Sequence, residues 1–349
     1  MQKVRIGFIG AGWWATSNHM PLLAAREDVE MAAVCGKDAD LLAAVQEEFH
    51  FPFATEDHTA LLAQGLDGVV VTSPHHLHFE HARDALLAGC HVMCEKPLTL
   101  HAHQAWELVR IAQERNLHLI VPYGWHYLPY INEAKALLDR GVVGEIEYVM
   151  CHMASPTKDL FSGSTVSPAN WTPTYTEPNP MTWQEKSQGG GYAHGQITHS
   201  SGLMFWLTGL RAKAVSARAR HSPDSQVDLY DAAAVVFENG ALGMISGAAT
   251  LPNDSKFQLD VRVFGSEGVF NLDIDRARLD VLRHDGDNIH VDVPVDAGMY
   301  NCDGPPARFV ELIQGGAVNN SPGEVGARSV ELIDAMLRSA AEGGTPVAV

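Results

Sequence analysis

The sequence is poor in positive charge: Lys and Arg number 24 against 42 Asp and Glu, a formal net charge of −18. That balance repels polyanions and argues against nucleic acid or an acidic membrane surface as partner. No uninterrupted apolar run reaches the roughly 18–20 residues of a membrane helix, and residues 1–9 read as a strand rather than a signal sequence. Cysteine is scarce as well. Cys35, Cys90, Cys94, Cys151 and Cys302 are odd in number, scattered and without a CxxC pair, so they read as reduced packing residues rather than a disulfide or zinc framework. A soluble, cytoplasmic protein is expected. The chain has 349 residues, 46% hydrophobic and 19% charged, which suits an ordinary folded protein of two domains.

What is present first is alternation. Val4, Ile6, Phe8 and Ile9 mark a strand, GAGWWA follows at 10–15, and helical character runs on through Leu22 and Leu23. Strands are expected at 30–35, 68–72, 91–94 and 117–123, with helices at 38–49, 57–63, 79–87 and 104–114 between them. Such a rhythm implies a doubly wound parallel α/β sheet of Rossmann type over residues 1–124. After Tyr123 it changes. One helix at 130–140 precedes long strand-like segments at 146–153, 214–219, 232–238, 241–248, 257–264 and 269–273, and helix signal returns only at 202–207, 308–313 and 329–341. Residues 125–349 therefore read as an α+β domain with a large, mainly antiparallel open sheet. Between Ser155 and Gln188 the prolines are too frequent for regular structure, and Trp171 and Trp183 suggest a loop that covers a site.

Gly10, Gly12 and Ala15 have GxGxxA spacing directly after the first strand. The first glycine permits a tight turn, the second lets backbone approach a pyrophosphate, and the small third residue allows helix packing on the strand. A carboxylate at the tip of the second strand selects NAD by binding the ribose diol. Here the tip is Gly36, Lys37 and Asp38, which favours NADP, with NAD kept open because Asp38 could swing in. SPHHLH at 73–78 and EKP at 95–97 end the next strands, where such a sheet places its ligands.

With GAGWWA, these segments resemble the Gfo/Idh/MocA family of NAD(P)-dependent sugar oxidoreductases. The resemblance runs the whole length: SPHHLH is similar to a TPNxxH turn, EKP matches the family hallmark, VPYGWHY at 121–127 matches the crossover, and 189–209 matches a glycine-rich helix start. It implies a dinucleotide held by Gly10, Gly12, Trp13, Trp14, Ala15, Gly36, Lys37, Asp38, Ser73, Pro74, His75, His78, Glu95, Lys96 and Pro97. Lys96 becomes the proton-transfer group, since a lysine partly withdrawn from water loses stability of its charged form. His199 is its implied catalytic partner. Substrate is assigned to Lys96, Tyr123, His126, Trp171, Trp183, His194, Gln196 and His199. The chain departs from the pattern at Gly195 and Gly202, where the family usually or often has an acid, and at His75, Gly124 and His126, which points to a divergent branch.

The leading expectation is hydride transfer between the nicotinamide and a hydroxyl or keto carbon of a sugar, glycoside or polyol. One alternative is a redox-neutral glycoside lyase or hydrolase with tightly bound NAD(H), in which His199 or Tyr192 acts as carbon base. Another is a non-catalytic NAD(P)-binding regulator. No catalytic metal is expected, because His194 and His199 lack the spacing of a shared helix face. His50, His58, His101, His103 and His118 read as surface or structural. The family's habit of packing its open sheet on another subunit implies a homodimer or homotetramer.

Overall fold

A computed structural model describes residues 3–162 and 175–349, and among these the contacts define two compact units. The first comprises Met1–Gly124, Asn170–Thr182 and Asn301–Ala327. The second comprises Trp125–Ala169, Trp183–Tyr300 and Arg328–Val349.

The first unit carries β1 (Val4–Ile9), β2 (Val29–Cys35), β3 (Phe53–Thr55), β4 (Gly68–Val71), β5 (His91–Cys94) and β6 (Leu119–Ile120). They form a parallel sheet in the order β3-β2-β1-β4-β5-β6. All of β4 is buried, as a β-branched strand covered on both faces must be. Helices Ala39–Glu48 and His58–Leu62 begin where Asp38 and Asp57 accept backbone N–H groups. Helix Gly304–Ile313 returns to this unit and buries Phe309, Val310 and Leu312 in its core. Two details differ from expectation. The three-residue β3 is not apparent in the sequence pattern. β6 is shorter than 117–123, because Val121 donates its N–H to Ser321 O and the chain leaves the sheet.

The second unit holds β7 (Ile146–Ala154), β8 (Ala212–His221), β9 (Asp228–Phe237), β10 (Leu242–Ala248), β11 (Gln258–Gly265), β12 (Gly268–Asp273), β13 (Arg278–Arg283), β14 (Ile289–Val291) and β15 (Val347–Ala348). Their order is β14-β13-β12-β11-β7-β10-β9-β8-β15. Pairing is antiparallel except where β10 runs parallel to β7. From Leu229 onward, one face of β9 is buried and the other exposed in alternation. The exposed faces carry Met150, Val236, Leu242 and Met244.

The proline-rich stretch does contain regular structure, in helices Lys158–Phe161 and Pro180–Gln184. Pro180 opens its helix, the position where proline's missing N–H costs nothing. Trp171 lies outside the described residues.

Candidate active site

The turn after β1 is shaped by its glycines. Gly10 has φ +114°, and a Cβ there would lie 2.5 Å from the backbone carbon of Thr72 at the end of β4. Only glycine fits both demands. Gly12 differs, because a Cβ on it would meet nothing within 4 Å. Ala15 is fully buried beneath the turn. An open backbone surface over a helix start suits a pyrophosphate, whose charges the first N–H groups of the helix would meet. Gly36, at the end of β2, adjoins this turn, since its absent Cβ would lie 3.3 Å from the Cβ of Ala11. The Lys37 ammonium bonds the Glu56 carbonyl at 2.6 Å, and Asp38 Oδ1 accepts the N–H groups of Asp40 and Leu41.

Glu95 joins the turn after β5 to the turn after β1. Its Oε1 accepts the indole N–H of Trp14 at 2.7 Å and lies 2.8 Å from His19 Nε2, while Oε2 accepts the backbone N–H of Lys96 at 3.0 Å. Burial resists the charge on Glu95, but His19 and Lys96 together hold its carboxyl below the usual range. Lys96 is 8% exposed, and its Nζ lies 5.9 Å from the centre of the Trp14 ring. Burial lowers its affinity for a proton, more than the Glu95 carboxylate and the nearby Cys302 sulfur restore it. The Lys96–Pro97 peptide is cis.

The turn after β4 is tied to the same place. His78 is wholly buried, with Nδ1 2.7 Å from Pro97 O and Nε2 2.8 Å from Ser73 O. Its ring links two turns through their carbonyls, a positioning arrangement. Thr72 donates its hydroxyl to Gly10 O at 2.8 Å. His75 is buried on the short turn His75–Leu77, its ring 5.7 Å from that of His78. Trp13 packs edge-to-face on Trp14 at 5.2 Å. Tyr123 is 1% exposed near the end of the unit's first stretch, and Pro74 is half-buried.

In the second unit, the glycine-rich stretch serves a buried anchor. Gly191 has φ +107°, and a Cβ would stand 2.1 Å from Asp228 Oδ1. Close approach lets Asp228 Oδ2 accept the Ala193 N–H at 2.6 Å, fixing the start of the segment that becomes helix Thr198–Thr208. Beside it, Asp231 is pushed well above the usual carboxylate range by burial and by Asp228.

His199, 6% exposed, stands edge-to-face to Trp125 at 5.5 Å and to Tyr300 at 5.2 Å, and those two rings are 4.8 Å apart. Trp125 donates its N–H to Gly298 O. His126, next in sequence, instead stacks on Trp206 at 4.7 Å. His194 and Gln196 are buried on the segment leading to His199, and Gln196 Oε1 has no hydrogen-bond partner. Trp183 meets Phe161 edge-to-face at 6.0 Å, and the two crowd Gly195: a Cβ there would lie 2.7 Å from Phe161 Cζ. The space a side chain at 195 would need, where the family resemblance implies an acid, is filled by aromatic rings.

Tyr192 is unsuited to the role of carbon base. It is fully buried, its hydroxyl accepts from Ser155 and donates to Met153 O, and burial pushes its proton affinity up. Several participants escaped the sequence reading: His19, Thr72, Cys302, Trp125, Asp228 and Tyr300. His19 follows Trp14 by five positions, but the signal of the others lies only in contacts distant along the chain.

Residues 4–123 match the model of the Gfo/Idh/MocA oxidoreductase family with an NAD-binding Rossmann fold, and residues 131–271 match the Gfo/Idh/MocA C-terminal domain. A D-xylose 1-dehydrogenase [NADP(+)] of Haloarcula marismortui is 29% identical over 161 residues, 45% of each chain. A D-glucoside 3-dehydrogenase of Escherichia coli is 36% identical over 146 residues, 41% of each chain. The chain thus spans somewhat under half the length of these two curated relatives. Among solved structures, a levoglucosan dehydrogenase in complex with NADH has the same fold, with TM-score 0.78 and 21% identity over 100% of this chain and 99% of that one.

Proposed function

Because the chain belongs to the Gfo/Idh/MocA family of oxidoreductases, we propose that it is an NAD(P)-dependent dehydrogenase acting on a hydroxyl or keto carbon of a sugar, glycoside or polyol. The observation that carries this reading is Lys96: a buried amine of lowered proton affinity, on a turn that Glu95 ties to the glycine turn and His78 ties to the turn after β4. When bound, the nicotinamide supplies the hydride acceptor or donor. Lys96, as the neutral amine that burial favours, takes the proton of the reacting hydroxyl, and as the ammonium it returns that proton in the reverse direction. His199, backed by Trp125 and Tyr300, and Gln196, with its unpartnered carbonyl oxygen, serve to orient carbohydrate hydroxyls.

Residues 1–124 are assigned to the dinucleotide and 125–349 to substrate and subunit contacts. NADP is the favoured cofactor: Gly36 offers no carboxylate to exclude a 2′-phosphate, Lys37 adds a cation, and Asp38 Oδ1 is occupied as a helix cap. The half-exposed Leu242 and Met244, beside Met150 and Val236, support a homodimer or homotetramer through the open sheet. The free cysteines suit the reducing cytoplasm.

The test is nicotinamide absorbance across free sugars, inositols and glycosides with both cofactors, repeated with Lys96→Met. A substrate should change absorbance stoichiometrically, and the substitution should lower turnover by about 10²–10⁴-fold while dinucleotide still binds. Unchanged hydride transfer removes Lys96 from the mechanism. Product release without any change in absorbance overturns the dehydrogenase.

A further inference from the structure

Helix His78–Leu87 places Glu80 and Asp84 one turn apart, at the i, i+4 spacing that puts two side chains on one face. Opposite them, helix His58–Leu62 begins with His58, whose Nε2 lies 3.0 Å from Asp84 Oδ2. One ligand atom from each of His58, Glu80 and Asp84 lies within 4.8 Å of the other two. Ligands around a tetrahedral zinc are about 3.4 Å apart, given metal–ligand bonds of about 2.1 Å. The His58–Asp84 edge is already near that length. Glu80 is exposed and needs only to swing inward.

The surroundings prepare these groups. Arg83 binds Asp84 through Oδ1 at 3.0 Å, which leaves Oδ2 facing His58. The His81 ring packs 4.7 Å from that of His58, and its Nδ1 lies 2.9 Å from Ser73 Oγ. A ligating carboxylate held by a guanidinium on its other oxygen is an arrangement that orients metal ligands.

We propose that His58, Glu80 and Asp84 bind one divalent transition-metal ion of the zinc type, with water completing the coordination, and that the ion ties these two crossover helices together. One imidazole and two carboxylates select such an ion over magnesium, which favours all-oxygen sites.

The experiment titrates the metal-free full-length protein with Zn²⁺, and with Co²⁺ followed by its visible absorption. One saturable ion per chain is expected, with a thermal midpoint that rises as Zn²⁺ is added. Asp84→Asn and His58→Gln should each weaken binding about tenfold or more. Either change also removes the bond between the helices, so exposed Glu80→Gln provides the cleaner arm: it should weaken binding while the metal-free midpoint stays put. His290→Gln, at the exposed pair with Asp280, should leave affinity and stoichiometry unchanged. Absence of saturable binding, or binding indifferent to both Glu80→Gln and Asp84→Asn, overturns the proposal.

Discussion

Trp14 donates its indole N–H to Glu95 at 2.7 Å across 81 positions of sequence, so one buried carboxylate couples the glycine turn to the lysine turn. Glu95→Ala removes the acceptor of three donors, the Trp14 indole, His19 and the Lys96 backbone N–H. Its expected cost is roughly 2–6 kcal/mol, about 1–3 for each of the two buried ones, His19 and the Lys96 N–H. Glu95→Gln keeps an acceptor oxygen and should cost less. Urea unfolding of both variants checks the ranking, and an alanine variant within about 0.5 kcal/mol of the parent would show that the coupling contributes little.

The two glycines of the first turn should separate folding from binding. Gly10→Ala sets a Cβ against Thr72 in a left-handed conformation, so stability should fall by at least about 1–3 kcal/mol. Gly12→Val projects into open space. Its thermal midpoint should stay near the parent's, while dinucleotide affinity, read by nicotinamide fluorescence, should drop at least tenfold. Equal affinity would mean that the cofactor does not cross Gly12.

Gly36→Asp should shift preference from NADP towards NAD, because the new carboxylate would repel a 2′-phosphate and accept from a free ribose diol. The introduced Cβ stands 3.3 Å from that of Ala11, so a slight adjustment of the turn is needed. The measurement is the ratio of the two dissociation constants. A ratio that does not move would show that this strand tip faces away from the ribose.

Asp231 gives a pH dependence of stability with a definite sign. Its folded proton affinity is raised by burial and by Asp228, so the folded state binds the proton more tightly than the unfolded chain. The contribution is therefore greatest below the unfolded carboxylate range, near pH 4, and is lost as pH rises from there towards the folded value. Asp231→Asn removes the titration while retaining a donor to Asp228. Unfolding free energies at pH 4 and pH 7 should show the variant gaining on the parent at the higher pH. A difference that is flat with pH would mean that Asp231 is ionised in the folded protein.

The first sheet was legible because β1, β2, β4 and β5 are short apolar runs bracketed by turn residues. The missed strands are of another kind. β13 interleaves charges with its apolar residues, and β14 and β15 are brief edge strands with half-exposed side chains. Helix Thr198–Thr208 was expected only from 202, since it is buried nearly all round and a helix apolar on every side has no periodic face to read. The site divides the same way. GAGWWA and EKP are contiguous and carry their geometry locally, whereas Asp228 reaches Ala193 across 35 positions, and Cys302 acts on Lys96 from some two hundred residues away. No window on the sequence spans such pairs.

The Phe161 ring beneath Gly195 constrains which side chains position 195 can accept. An acid placed at 195 by one substitution would drive the new side chain into that ring, so the change is penalised unless Phe161 is trimmed as well. Trimming it alone leaves a void beside Trp183 and Tyr192. Each single change is therefore expected to cost stability, and the glycine and the phenylalanine act as one packing unit.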